Sequence, residues 1–405
     1  VSVLYCSSST FTTHTQTPLH TLTRGNINNM NIQALALHGH MKPVTQIRFN
    51  ADGDLLFSVA KEGKACVWYT KTGELLGTFD CVKAVSGCDV NRSSTLFATS
   101  GFDSQTMLWN VETGAQLGII PHEAPTKCCQ FSHDDHKLLV VTDNKMGQKS
   151  KIQLFDLPRT LGDDPLRQDL KPKNAFISDA AGEGIQYAEW GPTNQHIYAG
   201  LEDGTVLIID AERMQEVRSV PGVHRQPIRK LHFDSNYYTL ATAGGEDKTA
   251  KLFDARDLRT IQTYASDVPV NDIAISPIAD HVILGGGMDA QNVTTQGGKS
   301  TFEVKFYHKV FGDSLGSIKC HFGTINTVAF LPNGRGFASA GVDGFIKVVN
   351  FDKAYDKTPG AKPLWKHPSI VAAEAAASNR SDDDDDADDA EMVPEISGDV
   401  TNVVQ

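Results

Sequence analysis

VTQIRFNADGDLLFSVAKEGKACVWY, residues 44–69, is the stretch that decides the fold. Apolar and polar residues alternate along 44–49, 55–60 and a third run that ends at Trp68-Tyr69. Short polar turns at 50–53 and 62–63 separate these runs, and a Thr72-Gly73 turn leads into a fourth run. Period-two alternation between Gly, Asn and Asp turns predicts four short antiparallel strands.

The same unit recurs through most of the chain. Its third strand ends seven times, at Trp68-Tyr69, Trp109-Asn110, Phe155-Asp156, Ile209-Asp210, Phe253-Asp254, Tyr307-His308 and Val349-Asn350. In five units an acid lies six residues before this ending, as Glu62, Asp103, Asp203, Asp247 and Asp343. The two exceptions carry insertions at that turn, at 145–149 and 290–300. A fixed period of this length predicts a repeat architecture with seven units.

Several units also open on a histidine, and these residues carry a family resemblance. His40 precedes Glu62 by 22 residues, and His321 precedes Asp343 by the same number. With the endings Phe155-Asp156 and Phe253-Asp254, Gly39-His40 resembles the WD40 repeat family. The resemblance implies an all-β, seven-bladed β-propeller in which the turn acid accepts hydrogen bonds from the opening His. The residues interpreted as structural in this way are His40, Glu62, Trp68, Asp103, Trp109, Asp203, His224, Asp247, Phe253, His321 and Asp343.

Ring closure is predicted from a missing and a spare strand. No good fourth strand follows the seventh third strand at 348–351, whereas an unassigned strand pattern occurs at 32–37. We expect this N-terminal strand to complete blade seven, because closure removes exposed sheet edges. A cut after residue 38 should therefore destabilise the ring, while loss of 1–29 should not.

The two ends differ from the repeat in composition. Residues 1–29 are rich in Ser, Thr, Asn and His, and we interpret them as a disordered extension or a gene-model artefact. The propeller is predicted over 30–353. Residues 354–405 are interpreted as a low-complexity acidic tail, which contains Asp382–Asp386. A block of like charges repels itself and stays solvated.

Composition excludes several classes of function. The chain of 405 residues carries a net charge of −12, which argues against direct RNA contact. No apolar run approaches the length of a membrane span, so no membrane contact is expected. Seven cysteines without a CxxC spacing indicate neither a disulfide framework nor a zinc site, and fit a cytoplasmic location.

Two sequence patterns resemble catalytic or phosphate-binding motifs, but neither supports an active site. Gly298-Lys299-Ser300 lacks the earlier glycine of a phosphate loop, because position 293 is Val. His40 and Ser58 beside a nearby acid look like a catalytic set, but similar residues recur in several units, whereas a nucleophile needs a unique site. We predict no enzymatic activity, no cofactor and no metal site.

A more specific resemblance covers residues 34–352. Blade one carries Pro43-Val-Thr-Gln-Ile-Arg-Phe-Asn50, and blade six carries Val282-Ile-Leu-Gly-Gly-Gly287 followed by Val293-Thr-Thr295. These stretches are similar to the subunit i family of eukaryotic translation initiation factor three. The resemblance implies a non-catalytic scaffold that joins subunits b and g and, through the complex, the small ribosomal subunit. It also implies a role in preinitiation-complex assembly and messenger RNA scanning.

The resemblance further implies where one partner docks. In that family a C-terminal helix of subunit b binds around blades five and six, here residues 221–316. Acids in this region that could meet basic groups of a helix are Asp234, Asp254 and Asp267. Asp247 lies there too, but its place in the repeat favours a structural role.

Two other classes of function remain as alternatives. Another WD40 adaptor, such as a ubiquitin-ligase receptor or a signalling scaffold, would need an accessory motif outside the propeller. An enzyme in the central channel would need polar groups or metal ligands that converge there and do not belong to the repeat.

Overall fold

Seven four-stranded antiparallel sheets form the body of the protein in the computed structural model, which describes residues 27, 33–145, 147–157, 172–177, 184–288 and 302–362. The N-terminal strand is β1 (Gln33–His38). Blade one comprises β2 (Val44–Phe49), β3 (Leu55–Ala60), β4 (Lys64–Tyr69) and β5 (Glu74–Asp80). Blade two comprises β6 (Val85–Val90), β7 (Leu96–Gly101), β8 (Gln105–Asn110) and β9 (Gln116–Pro121). Blade three comprises β10 (Thr126–Phe131), β11 (Lys137–Thr142), β12 (Lys151–Asp156) and β13 (Asn174–Ile177).

The remaining blades follow the same order along the chain. Blade four comprises β14 (Ile185–Trp190), β15 (His196–Leu201), β16 (Val206–Asp210) and β17 (Gln215–Val220). Blade five comprises β18 (Lys230–Phe233), β19 (Thr239–Ala243), β20 (Thr249–Asp254) and β21 (Thr260–Ala265). Blade six comprises β22 (Val270–Ile275), β23 (His281–Gly286), β24 (Glu303–His308) and β25 (Ser314–Lys319). Blade seven contains β26 (Ile325–Phe330), β27 (Gly336–Gly341) and β28 (Phe345–Asn350). The predicted seven-unit, all-β repeat is confirmed.

The ring closes through β1, as predicted. This strand pairs antiparallel with β28, from Gln33 opposite Asn350 to His38 opposite Phe345, and so becomes the fourth strand of blade seven. The first strand of each blade contacts the first strands of both neighbouring blades, around the whole ring. These seven first strands therefore surround a central channel.

Apolar side chains fill the spaces between adjacent blades rather than within one blade. Trp68 of blade one packs in a buried cluster with Leu37 and Ile346 of blade seven. Between blades one and two, the rings of Phe57 and Phe97 stack with centroids 4.7 Å apart. Each blade thus buries both faces of its sheet against its neighbours, as a propeller requires.

The chain stays packed beyond its last strand. A short 3-10 helix spans Tyr355–Lys357, and Tyr355 is buried. Its ring stacks on Phe351 at 3.9 Å, and its hydroxyl lies 2.5 Å from Nδ1 of His281 in blade six. This contact lies just past residue 353, where the sequence places the start of the tail. Residues 1–26, the insertion at 290–300 and the aspartate run lie outside the described residues.

Candidate functional site

A hydrogen-bonded chain of four side chains links the strands of blade one. Nδ1 of His40 lies 2.8 Å from Oε1 of Glu62, and Nε2 of His40 lies 2.8 Å from Oγ of Ser58. The indole N–H of Trp68 donates to the same Ser58 oxygen at 2.9 Å. Because the carboxylate only accepts, Nδ1 of His40 carries the proton and Nε2 accepts from Ser58. Burial lowers the pKa of His40, which keeps this neutral tautomer.

Blades five and seven repeat this arrangement. His224 lies 2.7 Å from both Asp247 and Thr242. His321 lies 3.0 Å from Asp343 and 2.9 Å from Ser339. The third-strand residues here, Phe253 and Val349, have no side-chain N–H to donate. The same set thus recurs in three blades and forms no unique reactive centre. In each blade it links the opening loop to the second strand and to the following turn by hydrogen bonds.

Blades two and four depart from this pattern. In blade two, Cys81 occupies the place of the histidine and lies 3.6 Å from the Thr99 hydroxyl, to which Trp109 donates at 3.1 Å. Asp103 accepts only within its own turn, from the Gln105 N–H. In blade four, Asp203 likewise accepts the N–H and hydroxyl of Thr205. The turn acids of these two blades therefore shape turns without a histidine partner.

The central channel collects charged side chains from several blades. It holds a cavity of about 290 Å³ whose lining includes Arg48, Tyr187, Glu189, Lys230 and Asp272. Arg48 donates to the Tyr187 hydroxyl at 2.7 Å, and the Lys230 ammonium lies 4.3 Å from the centre of the Tyr187 ring. Convergent polar groups of this kind are what the enzyme alternative required.

Some first-strand side chains, Asp272 of the cavity among them, join neighbouring blades. Three first-strand side chains accept a backbone N–H from the next blade: Asp89 from Phe131 at 2.8 Å, Gln130 from Trp190 at 2.9 Å and Asp272 from Val328 at 3.0 Å. Buried polar groups that are satisfied by backbone in this way fix the relative position of packed elements. Asp89, Gln130 and Asp272 thus have a structural task that accounts for their placement.

Glu189 makes the channel sensitive to pH. Burial raises the pKa of Glu189 to about 7, against 4.5 for an ordinary glutamate, although Arg48 opposes the rise. The folded state therefore holds this proton more tightly than the unfolded chain does. The resulting stabilisation is complete below about pH 4.5 and is lost as the pH rises through about 7.

We expect Glu189→Gln to be increasingly favourable as the pH rises, because a neutral amide has no charge to bury. From pH 5 to pH 8 the unfolding free energy of the variant should gain up to about 3 kcal/mol relative to the wild type. Urea unfolding at the two pH values measures this difference. Glu112→Gln, at an exposed turn, is the control and should show no such gain. A pH-independent difference for Glu189→Gln would contradict the assignment.

The three acids predicted to meet a partner do not lie together. Asp234 is only 6% exposed; its carboxylate accepts from Lys309 at 3.2 Å and from the Thr239 N–H at 3.0 Å, so it is not a surface group. Asp254 is the last residue of β20, directly before the turn into β21, and pairs with Arg256 at 2.9 Å. Asp267 is exposed but follows the other end of β21, beside Lys305. Only Asp254 therefore borders the end of blade five at which the third and fourth strands are connected.

Exposed apolar residues lie where the third and fourth strands of blades five and six are connected, and the sequence analysis did not identify them. Ile261 on β21 is 47% exposed, and Val310 and Phe311, in the turn between β24 and β25, are 44% and 58% exposed. Gln262 donates to the Val310 carbonyl at 3.0 Å, which fixes the turn against β21. We call these three exposed residues the blade-5/6 flank. The sequence contains a signal for this surface, because Val310 and Phe311 are apolar where the equivalent turn of blade one has the polar residues Lys71 and Thr72.

The residues that the structure describes limit other chemistry. Among them no group of three or more His, Cys, Asp or Glu side chains could hold a metal ion. In the same ranges no helix has the length and apolar character needed to cross a bilayer.

The fold and the repeated histidine–acid–hydroxyl set define a seven-bladed propeller of the WD40 type. The family model EIF3I matches residues 32–358, which includes the buried Tyr355. The chain belongs to this family, the I subunits of eukaryotic translation initiation factor 3.

Proteins named "Eukaryotic translation initiation factor 3 subunit I" are similar along the propeller. The protein from Nematostella vectensis is 37% identical over 327 residues, 80% of this chain and 98% of its own. That from Pyricularia oryzae is 39% identical over 328 residues, 80% of this chain and 94% of its own.

Proposed function

We propose that this chain is a non-catalytic scaffold subunit of the eukaryotic translation initiation factor three complex in the cytoplasm. It binds partner subunits through the propeller surface and, within the complex, supports preinitiation-complex assembly and messenger RNA scanning on the small ribosomal subunit. Family membership along the whole ring is the observation that carries this proposal. The recurrence of the polar side-chain sets, with no unique reactive centre among them, favours a scaffold over an enzyme.

Association is tested by affinity purification of the tagged full-length chain from its own cells, with mass spectrometry and a sucrose gradient. We expect initiation factor three subunits, including b and g, to co-purify and to sediment in part with small ribosomal subunits. Recovery of ubiquitin-ligase or signalling components, with nothing at the ribosomal position, would instead favour the other class of WD40 adaptor.

The blade-5/6 flank is our proposed contact for a helix of subunit b. An amphipathic helix binds through a few apolar side chains that enter an apolar surface, with charged groups at the rim. Ile261, Val310 and Phe311 supply the apolar part, and Asp254 and Arg256 lie at its edge. Of the acids identified from the sequence, Asp254 would then contribute to the rim rather than to the centre of the contact, whereas Asp234 and Asp267 would lie outside it.

We expect Phe311→Asp to reduce recovery of subunit b by at least tenfold, because a carboxylate would be buried in the apolar contact. The measurement is co-purification from cells, scored beside the melting temperature. Val217→Asp is the matched control, since Val217 is 56% exposed on the fourth strand of blade four. Asp254→Lys should weaken recovery more than Asp267→Lys, because the two acids lie at opposite ends of β21. Equal recovery with Phe311→Asp and Val217→Asp would exclude the flank as the site.

A further inference from the structure

Large apolar side chains are exposed at equivalent positions of three adjacent blades. Met41, Val82 and Phe322 are 95%, 70% and 88% exposed. Each directly follows the residue that opens its blade and stands three positions before the first residue of the first strand. The equivalent residues of blades three, five and six are Glu123, Arg225 and Asp267. The repeat itself therefore does not require an apolar residue here, and blades seven, one and two differ from blades three, five and six in the same way.

Two further apolar residues extend this surface. Val342 and Phe102, in the turns between the second and third strands of blades seven and two, are 43% and 46% exposed. The Val342 N–H donates to the Thr324 carbonyl at 2.9 Å, and the Phe102 N–H donates to the Ala84 carbonyl at 2.9 Å. Each turn is thus fixed against the loop that carries the exposed residue of its own blade.

Close backbone contacts make the surface continuous from blade seven to blade two. Gly344 lies against the loop of blade one so closely that a side chain there would come within 2.9 Å of the His40 carbonyl oxygen. Gly63 lies equally close to the Cys81 and Lys83 carbonyls of blade two. Both glycines have positive φ, 77° and 86°, which other residues rarely adopt. We call Met41, Val82, Phe102, Phe322 and Val342 the connector-face patch.

The charge around the connector-face patch is opposite to that of the chain. The turn acids Glu62 and Asp343 point inward to their histidines and accept the Met41 and Phe322 N–H groups. The exposed charged residues of these loops are Lys42, Lys61, Lys83 and Asp80. None of the three lysines forms an ion pair among the described residues, and Asp80 lies opposite Lys64 in the β4–β5 register. Three lysines against one aspartate thus make the loops of blades one and two locally basic, beside an apolar patch on a chain with a net charge of −12.

We propose that the connector-face patch is a second docking surface, which binds an acidic peptide segment with large apolar side chains from another polypeptide. Apolar side chains of the segment would cover Met41, Val82 and Phe322, and its carboxylates would meet Lys42 and Lys83. Contiguous exposed apolar residues with a polar rim mark interaction sites, and complementary charge selects the partner. The surface is separate from the blade-5/6 flank, so the two proposals can fail independently.

The test uses site-specific photo-cross-linking of the full chain in its native complex. Benzoylphenylalanine replaces Met41, Phe322 or, as the control, Val217, and cross-linked peptides are identified by mass spectrometry. We expect positions 41 and 322 to capture one segment of another polypeptide that is net negative and contains at least two large apolar residues. Lys42→Glu combined with Lys83→Glu should reduce these adducts at least tenfold, whereas position 217 should not capture the segment.

Other outcomes would overturn the proposal. Adducts to RNA would assign the lysines to phosphate contacts, and adducts to a second copy of this chain would indicate self-association. A neutral or basic captured segment, adducts unaffected by the lysine substitutions, or no adducts at all would each exclude an acidic partner. Circular dichroism melting of every variant separates loss of the surface from loss of folding.

Discussion

Removal of residues up to and including 38 is expected to prevent the propeller from folding stably. Without β1, the third strand of blade seven, β28, exposes an unpaired edge along six residue pairs. Leu37, which is 2% exposed in the cluster with Trp68, is lost as well. Each lost hydrogen bond costs about 1 kcal/mol, and a buried leucine contributes roughly 2–5 kcal/mol. The sum approaches the total stability of a typical domain, about 5–15 kcal/mol.

Two shorter truncations calibrate this result in circular dichroism melting and limited proteolysis. Removal of residues 1–26 keeps every described residue and should leave the melting temperature unchanged. Removal of 1–29 also deletes Ile27, which is fully buried in a cluster with Ile283 and Phe306. That cut should cost about 2 kcal/mol, so the sequence prediction that 1–29 is dispensable must be modified. A chain cut after residue 38 that melts like the full-length protein would contradict closure by β1.

Ser58→Ala is expected to destabilise the protein by about 2–6 kcal/mol. The Ser58 hydroxyl is fully buried and serves two partners, the Trp68 N–H and Nε2 of His40. Alanine leaves both buried groups without a partner, and each unpaired group costs roughly 1–3 kcal/mol. Urea unfolding followed by tryptophan fluorescence measures the loss.

Thr99→Val in blade two is the matched comparison. The Thr99 hydroxyl accepts from the Trp109 N–H, as Ser58 does from Trp68. Its other neighbour, however, is a cysteine instead of a histidine, with the Cys81 sulfur 3.6 Å away. Because a thiol is a weak hydrogen-bonding group, only the Trp109 N–H is seriously affected, and we expect a loss of about 1–3 kcal/mol, half of that in blade one. Equal losses in the two blades would show that the histidine adds nothing to the blade-one set.

Local patterns in the sequence were sufficient for the ring. Strand alternation, turn residues and the interval from His40 to Glu62 each depend on residues that are neighbours along one blade. Even closure could be predicted, because a strand pattern before blade one had no other place to pair. The hydrogen-bond partners of the turn acids in blades two and four were harder to predict from the sequence, because they depend on which residue replaces the histidine.

The candidate interface shows where such reasoning stops. Asp234, Asp254 and Asp267 are close in the sequence and carry the same charge, yet one is buried and two lie at opposite ends of β21. The buried Asp234 is paired with Lys309, which comes from blade six. No pattern within blade five contains that information.

By itself, the sequence determined the class of fold, the number of blades, the closing strand and the family. Those features follow from periodicity and short-range pairing, which are written along the chain. Only the tertiary structure decided which polar groups join blades across the channel and which apolar residues form the blade-5/6 flank and the connector-face patch. These surfaces combine residues from different blades, and burial and charge pairing there depend on which neighbours the ring brings into contact.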